Sequence, residues 1–140
     1  MNGRHIADAP VSPIVAVTDL ARARAFYEDQ LGLEGSPSPG GGWMLRAGEG
    51  TTISLLPGVE GAGSVTWPVA TFRVDDVHAV VRRLRERGVS FLGRDDIPFD
   101  LDDDGVSSQA DLAVAWMKDP DGSVLTIYTA SDEASQEMRR

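Results

Sequence analysis

The sequence predicts an α+β fold made of two copies of one unit, each a strand, a helix and three further strands. Three observations carry this. Ser12–Gly32 reads as a short strand, an Asp and an amphipathic helix closed by Gly, and Val69–Gly88 repeats that plan, with Asp19 and Asp76 at the same joint 57 residues apart. Each copy offers only one helical pattern, followed by a hairpin pattern. No G-x-G-x-x-G follows a strand, so a doubly wound dinucleotide-binding sheet is unsupported. A period of this size in 140 residues means two modules, since a solenoid needs at least three repeats. We place the modules at 11–58 and 65–129 within one domain, with flexible termini at 1–10 and 130–140.

The elements follow in order. In Pro13–Val17 the alternation puts Val15 and Val17 on one face and Ile14 and Ala16, with Ser12, on the other. Pro13 lacks an N–H and belongs at a strand start or sheet edge. Asp19 is a good N-cap. Leu20, Ala23, Phe26, Tyr27 and Leu31 then recur at helical spacing, and Gly32 is the stop. The stretch 35–42, GSPSPGGG, reads as a turn-rich connection. Trp43–Ala47 and Thr51–Leu56 read as a hairpin around Gly48-Glu49-Gly50, and Gly58–Ser64 as a link between modules.

In the second module Val69–Val74 is the strand. Asp75 or Asp76 caps a helix with Val77, Val80, Val81 and Leu84 as its apolar stripe, and Gly88 closes it. Val89–Leu92 is a short strand and 96–111 an acidic insertion. Leu112–Lys118 and Ser123–Thr129 are closing strands around Asp119-Pro120-Asp121-Gly122, where Pro and Gly sit as turn chemistry requires. His5 has no neighbouring partner in the sequence and reads as solvated; His78 sits in a first helical turn beside Asp75 and Asp76.

Composition bounds the function. At 41% hydrophobic and 25% charged the chain can build a core without staples, and with no Cys it has no disulfide, thiolate metal site or Cys nucleophile. No apolar run approaches the ~20 residues of a membrane span, and the N-terminus lacks a signal-peptide core, so we expect a cytoplasmic protein with no membrane contact. A net charge of −9 argues against nucleic acid. It favours cationic small molecules, or it serves solubility alone.

The strand faces divide by chemistry. Val15, Val17, Ile53, Leu55, Phe72, Val74, Leu125 and Ile127 form an apolar face that should carry the helices. Ser12, Ile14, Ser54, Leu56, Thr71, Arg73, Thr126 and Tyr128 form a mixed face. Apolar walls with a few placed polar groups suit a ligand pocket; an antiparallel sheet with one wet face has the same pattern.

The run P-I-V-A-V-T-D-L-A-R-A-R-A-F-Y-E-D-Q-L-G-L resembles the first module of the vicinal oxygen chelate superfamily, which holds glyoxalase I, extradiol dioxygenases, fosfomycin-resistance enzymes and bleomycin-resistance proteins. V-D-D-V and K-D-P-D-G-S-V-L-T-I-Y resemble its second half. The resemblance covers roughly residues 11–129. It implies paired βαβββ modules whose sheets curl around a shared cavity on the mixed face. In the family's enzymes metal ligands stand in the first and last strands of each module. Those places fall here on Ser12, Ser54, Val69 and Thr126. Two serines, a valine and a threonine lack the charge and donor strength a divalent ion needs. The resemblance therefore points to the metal-free, bleomycin-resistance-like branch: acidic dimers that sequester a cationic drug.

We accordingly expect no cofactor, and a homodimer that binds a small cationic or aromatic molecule. Polar contacts would come from Ser12, Ser54, Thr71, Arg73, Thr126 and Tyr128, and walls from Ile14, Leu56, Val69, Trp43 and Trp116. For each Trp the alternatives are stacking on a ligand or packing in the core. A diverged lyase, isomerase or dioxygenase-like enzyme is the second reading, with Arg73 as electrostatic stabiliser and Tyr128 as proton donor. It lacks a general base on the mixed face. Separately, Asp100, Asp102 and Asp104, followed by Gly105 and with Asp111 at the twelfth place, match EF-hand spacing for Ca²⁺; a solvated acidic loop is the alternative.

Overall fold

The computed structural model describes residues 5–130; the outermost residues of the expected flexible termini, 1–4 and 131–140, lie outside it. The alternation read from sequence produces two four-stranded mixed sheets, each with one parallel and two antiparallel pairings, and the sheets do not close into a barrel. In the first module β1 (Ile14–Ala16) leads into α1 (Leu20–Arg24), which continues as a wider π-helical turn over Ala25–Gln30. Then come β2 (Glu34–Pro37), β3 (Trp43–Arg46) and β4 (Thr52–Leu56), in spatial order β1-β4-β3-β2. The second module has β5 (Pro68–Arg73), α2 (Val77–Glu86), β6 (Ser107–Gln109), β7 (Leu112–Lys118) and β8 (Val124–Ala130), ordered β5-β8-β7-β6.

Both helices start as the sequence requires. The Asp19 carboxylate accepts from the Arg22 amide at 3.3 Å, and Asp76 accepts from the Ala79 amide at 3.2 Å, each satisfying an N–H that has no helical partner. Gly32 and Gly88 end them at φ 83° and 88°, the left-handed conformation that terminates a helix at no steric cost for glycine. Between these ends α1 and its extension bury Ala23, Phe26 and Tyr27, and α2 buries Val77, Val81 and Leu84. These side chains share one continuous core with Val15, Val17, Leu45, Ile53, Leu55, Ala115, Met117, Leu125 and Ile127. The helices therefore cover one face of each sheet and leave the other face open.

Two strands lie where the sequence indicates other structure. The expected connection at 35–42 contains β2, which pairs Glu34 to Pro37 with Arg46 to Trp43. It is an edge strand, the one place in a sheet where Pro37 is tolerated, so Gly, Ser and Pro content does not exclude it. In the second module 89–92 is not a strand. Val89 drops into the core and Phe91 makes a single bridge to Met117. The edge strand is β6, inside the supposed insertion, where Ser107 to Gln109 pair with Val114 to Leu112. The remainder of that loop is anchored by Leu101 and Val106, 7% and 1% exposed.

The sequence signatures meet at the joint between modules. The Tyr27 hydroxyl, fully buried, donates to Asp119 Oδ2 at 2.8 Å. Asp119 Oδ1 accepts from the amides of Asp121 and Ser123 at 3.0 and 2.9 Å, which shapes the D-P-D-G turn. Asp121 in turn accepts from the Thr18 hydroxyl at 2.7 Å and pairs with Arg22 at 2.9 Å. The F-Y of one module and the D-P-D-G of the other thus act as a staple. Among the described residues no helix is long and apolar enough to cross a membrane.

Candidate functional site

The open face of the second sheet is built by register. Thr71 stands opposite Thr126, which stands opposite Trp116; Arg73 stands opposite Tyr128, which stands opposite Val114. Side chains in these rows point the same way because strand side chains alternate with period two. The Thr126 hydroxyl donates to the Thr71 hydroxyl at 2.7 Å. The open face is therefore closed at the Thr71–Thr126 bond, with charge at its β5 end in the Arg73 row and an indole toward β7 in the Thr126 row.

At the charged end lies a cavity of about 500 Å³, lined by Ala47, Gly48, Glu49, Thr51, Thr71, Phe72, Arg73, Asp75 and Tyr128. Its walls come from both modules. The β3–β4 hairpin supplies Glu49, held at φ 57°, a left-handed conformation uncommon outside glycine. Its carboxylate reaches Arg73 at 3.5 Å, where the Arg side chain is 31% exposed and the Glu 82%. An ion pair that long and that wet contributes little stability. Both partners are free to exchange each other for a ligand at small cost.

At the other end Trp116 and Phe99 line a smaller recess of about 130 Å³ with Ser107, Gln109, Leu112 and Val114. Their rings are 6.0 Å apart and inclined by 20°. Another hollow, of about 470 Å³, is formed around Phe26, Gln30, Val89, Lys118 and the D-P-D-G turn. It lies at the stapled joint, away from the mixed face.

The predicted residues are thus only partly brought together. Thr71, Arg73 and Tyr128 line one cavity, Thr126 supports it, and Trp116 holds the neighbouring recess. Ile14, Ser54 and Leu56 share the open face of the first sheet, with Ser12 just ahead of β1, and none of the four lines that cavity; Ile14 is 67% and Leu56 48% exposed. Val69 is the extra residue of a bulge between Pro68 and Ala70, and it packs against the core. Trp43 is a correction: it stands on the helix side. Arg24 lies over its ring at 3.9 Å, and its indole N–H donates to Glu28 at 3.0 Å. The signal was present in the sequence, because Trp43 has the same parity as the buried Leu45. We expect Trp43→Phe to cost about 1 kcal/mol in urea unfolding while leaving ligand titrations unchanged.

Sequence reasoning missed Glu49, Asp75 and Phe99. The first two bring carboxylates to the cavity from turns beside the strands, where the mixed face itself offers no general base. Glu49 lay in a stretch read only as a turn, and Asp75 was read as a cap.

The implied metal positions do not fit a metal. The Ser12 hydroxyl donates to the Thr52 carbonyl at 2.9 Å, Thr126 donates to Thr71, and Val69 has no donor. Among the described residues no group of three or more His, Cys, Asp or Glu could hold an ion. The Ca²⁺ spacing is corrected for the same reason. Asp102 binds His78 Nε2 at 2.7 Å, and Asp104 pairs with Arg82 at 2.9 Å. Asp111 sits beyond them at the β6–β7 turn, beside Ala110 at φ 47°. Asp102 and Asp104 are thus engaged by His78 and Arg82 of α2 instead of converging on one point. Burial raises the Asp102 carboxyl, but hydrogen bonds from His78 and from the Val106 and Asp104 amides outweigh it, and the group lies below its ordinary value. Calorimetry with millimolar Ca²⁺ should give no binding heat.

Comparison with known proteins adds the family. The sequence model described as "Glyoxalase/Bleomycin resistance protein/Dioxygenase superfamily" matches residues 4–127. No curated protein matches the chain. Among solved structures, TnmS3, described as an antibiotic binding protein from Streptomyces sp. CB03234, is 27% identical at TM-score 0.65 over 91% of this chain and 100% of its own. A glyoxalase/bleomycin resistance protein from the same Streptomyces strain is 26% identical at TM-score 0.60, covering 85% of this chain and 98% of that one. Another glyoxalase/bleomycin resistance protein, from Catenulispora acidiphila DSM 44928, is 25% identical at TM-score 0.62 over 86% and 97%.

Proposed function

The chain belongs to the glyoxalase/bleomycin resistance protein/dioxygenase superfamily, and from that premise we propose that it captures a small aromatic or cationic molecule without transforming it, in the manner of antibiotic sequestration. One observation carries the reading. The places implied for the family's metal donors are taken here by Ser12, Ser54, Val69 and Thr126, while the cavity of about 500 Å³ offers Arg73, Glu49, Asp75 and Tyr128. A pocket of that size accommodates a drug-like ligand. The antibiotic-binding description of TnmS3 supports the same reading.

The protein would act as a homodimer. Ile14 and Leu56 expose apolar side chains on adjacent strands of an open sheet face, and a second copy seated there would cover them. Sedimentation should give a dimer, and Ile14→Glu combined with Leu56→Glu should shift it to monomer at micromolar concentration. A monomer already in the unsubstituted protein would overturn this.

The test of capture is calorimetry against a basic glycopeptide and an aromatic polyketide, with the ligand then recovered and weighed by mass spectrometry. Micromolar or tighter binding with unchanged mass supports capture. The absence of heat for both classes refutes it. Glu49 and Asp75 favour one other reading, an acid–base lyase or isomerase in which a carboxylate removes a proton. Conversion of the bound ligand, lost in Glu49→Gln, would establish that reading instead.

A further inference from the structure

The half-exposed Phe99 is the feature of the open face that the capture reading does not use. It lies between the turn at 94–96 and the anchored Leu101, in a loop held to the rest of the module on its far side. Arg94 donates to the Leu101 carbonyl at 3.1 and 3.2 Å, His78 holds Asp102, and Arg82 holds Asp104. With those points fixed, the ring is delivered onto Trp116, and it remains 50% exposed there. A Phe that gained nothing from the contact could turn outward at little further loss of burial. Instead it lies near-parallel to the indole, over a recess whose rim is polar at Ser107 and Gln109.

We infer that Phe99 is an internal occupant of a subsite for a planar aromatic ring, and that such a ring binds on Trp116 by exchanging places with it. The inference rests on the capture reading and specifies its ligand. Trp116 is opposite Thr126, and Thr126 opposite Thr71, so two strand spacings separate the indole from the strand that carries Arg73. That is about 10 Å across the sheet. The ligand is therefore an elongated molecule, planar at one end and polar at the other, with the polar end in the Glu49–Arg73 cavity. Exchange is cheap because one stacked pair replaces another: an aromatic pair is worth a factor of about 2 to 10 in an equilibrium constant. By occupying the subsite, Phe99 weakens capture by that factor and disfavours ligands that cannot stack.

The experiment uses the full chain and the planar cation 9-aminoacridine, titrated calorimetrically against the unsubstituted protein, Phe99→Ala and Phe99→Leu. Phe99→Ala should bind about fivefold more tightly, with Phe99→Leu between it and the unsubstituted protein. In a Trp43→Phe, Trp67→Phe background, Phe99→Ala should also make the Trp116 emission more accessible to acrylamide before any ligand is added. Equal affinity in all three proteins overturns the exchange while leaving capture standing. Weaker binding by Phe99→Ala overturns it too, because Phe99 would then be one jaw of a clamp. If none of the three binds the probe while a non-planar ligand does bind, the planar subsite is wrong. Failure of every ligand class overturns the capture reading and the exchange together. Circular dichroism melts of the two variants check that an exposed ring has been removed from a folded protein.

Discussion

Replacement of Asp119 by alanine is expected to destabilise the protein by about 3 kcal/mol, or roughly 10 °C in melting temperature. The carboxylate is 5% exposed and accepts from the Tyr27 hydroxyl and from the Asp121 and Ser123 amides. Truncation leaves three donors in or beside the core without their acceptor. Tyr27→Phe removes one of these bonds and should cost about half as much. Because the two groups touch, their effects should not add, and a double-mutant cycle should show a coupling of about 1 kcal/mol. Additive losses would mean that the staple does not act as a unit.

The same pair makes a pH prediction with a definite sign. Burial raises the Asp119 carboxyl above its ordinary 3.8 and outweighs the hydrogen bonds from Tyr27, Ser123 and Asp121, which act in the opposite direction. A raised folded-state value means that the contribution of this group is full below pH 3.8 and declines as pH rises through the folded value. The advantage of the natural protein over Asp119→Asn should therefore be greater at pH 4 than at pH 7. Tyr27 behaves in the same sense at the alkaline end. Burial, reinforced by the nearby Asp119, holds its hydroxyl well above 10. Its stabilising contribution is complete below pH 10 and is lost above it, so Tyr27→Phe should flatten the alkaline unfolding curve.

The second large effect belongs to Gly63. The link between modules passes over the D-P-D-G turn so closely that a methyl group on Gly63 would overlap the Asp121 carbonyl, and the residue sits at φ 83°. Both obstacles are backbone, so neither can rotate aside. Gly63→Ala should cost about 3 kcal/mol or more in urea unfolding. Gly58→Ala in the same link, at φ 73° with nothing near its would-be Cβ, should cost only about 1 kcal/mol. Equal costs would show that the link does not rest on the turn. Because Glu49 and Arg73 belong to different modules, a loosened joint should also weaken ligand binding in Gly63→Ala.

Much of this molecule was legible before any coordinates. Asp19, Asp76, Gly32 and Gly88 bound the helices because caps and stops act within a few residues of themselves. Val15, Val17, Leu125 and Ile127 went to the helix side because alternation in a strand is fixed by its pleat. The edge strands β2 and β6 were less visible. An edge strand pairs on one side only, tolerates Gly, Ser and Pro, and need not alternate.

What the sequence determined, then, is the inventory: two modules, their helices and faces, and the residues Ser12, Ser54, Val69 and Thr126 at the places the resemblance implies for metal donors. The tertiary structure decided the proximities. It alone brought Tyr27 to Asp119 across 92 positions, Glu49 to Arg73 across 24, and Phe99 onto Trp116. The physical reason is one of range. Caps, turns and pleats are local interactions that any segment shows in its own composition. Which distant groups meet depends instead on how two sheets and two helices share a single core, and no stretch of chain contains that information by itself.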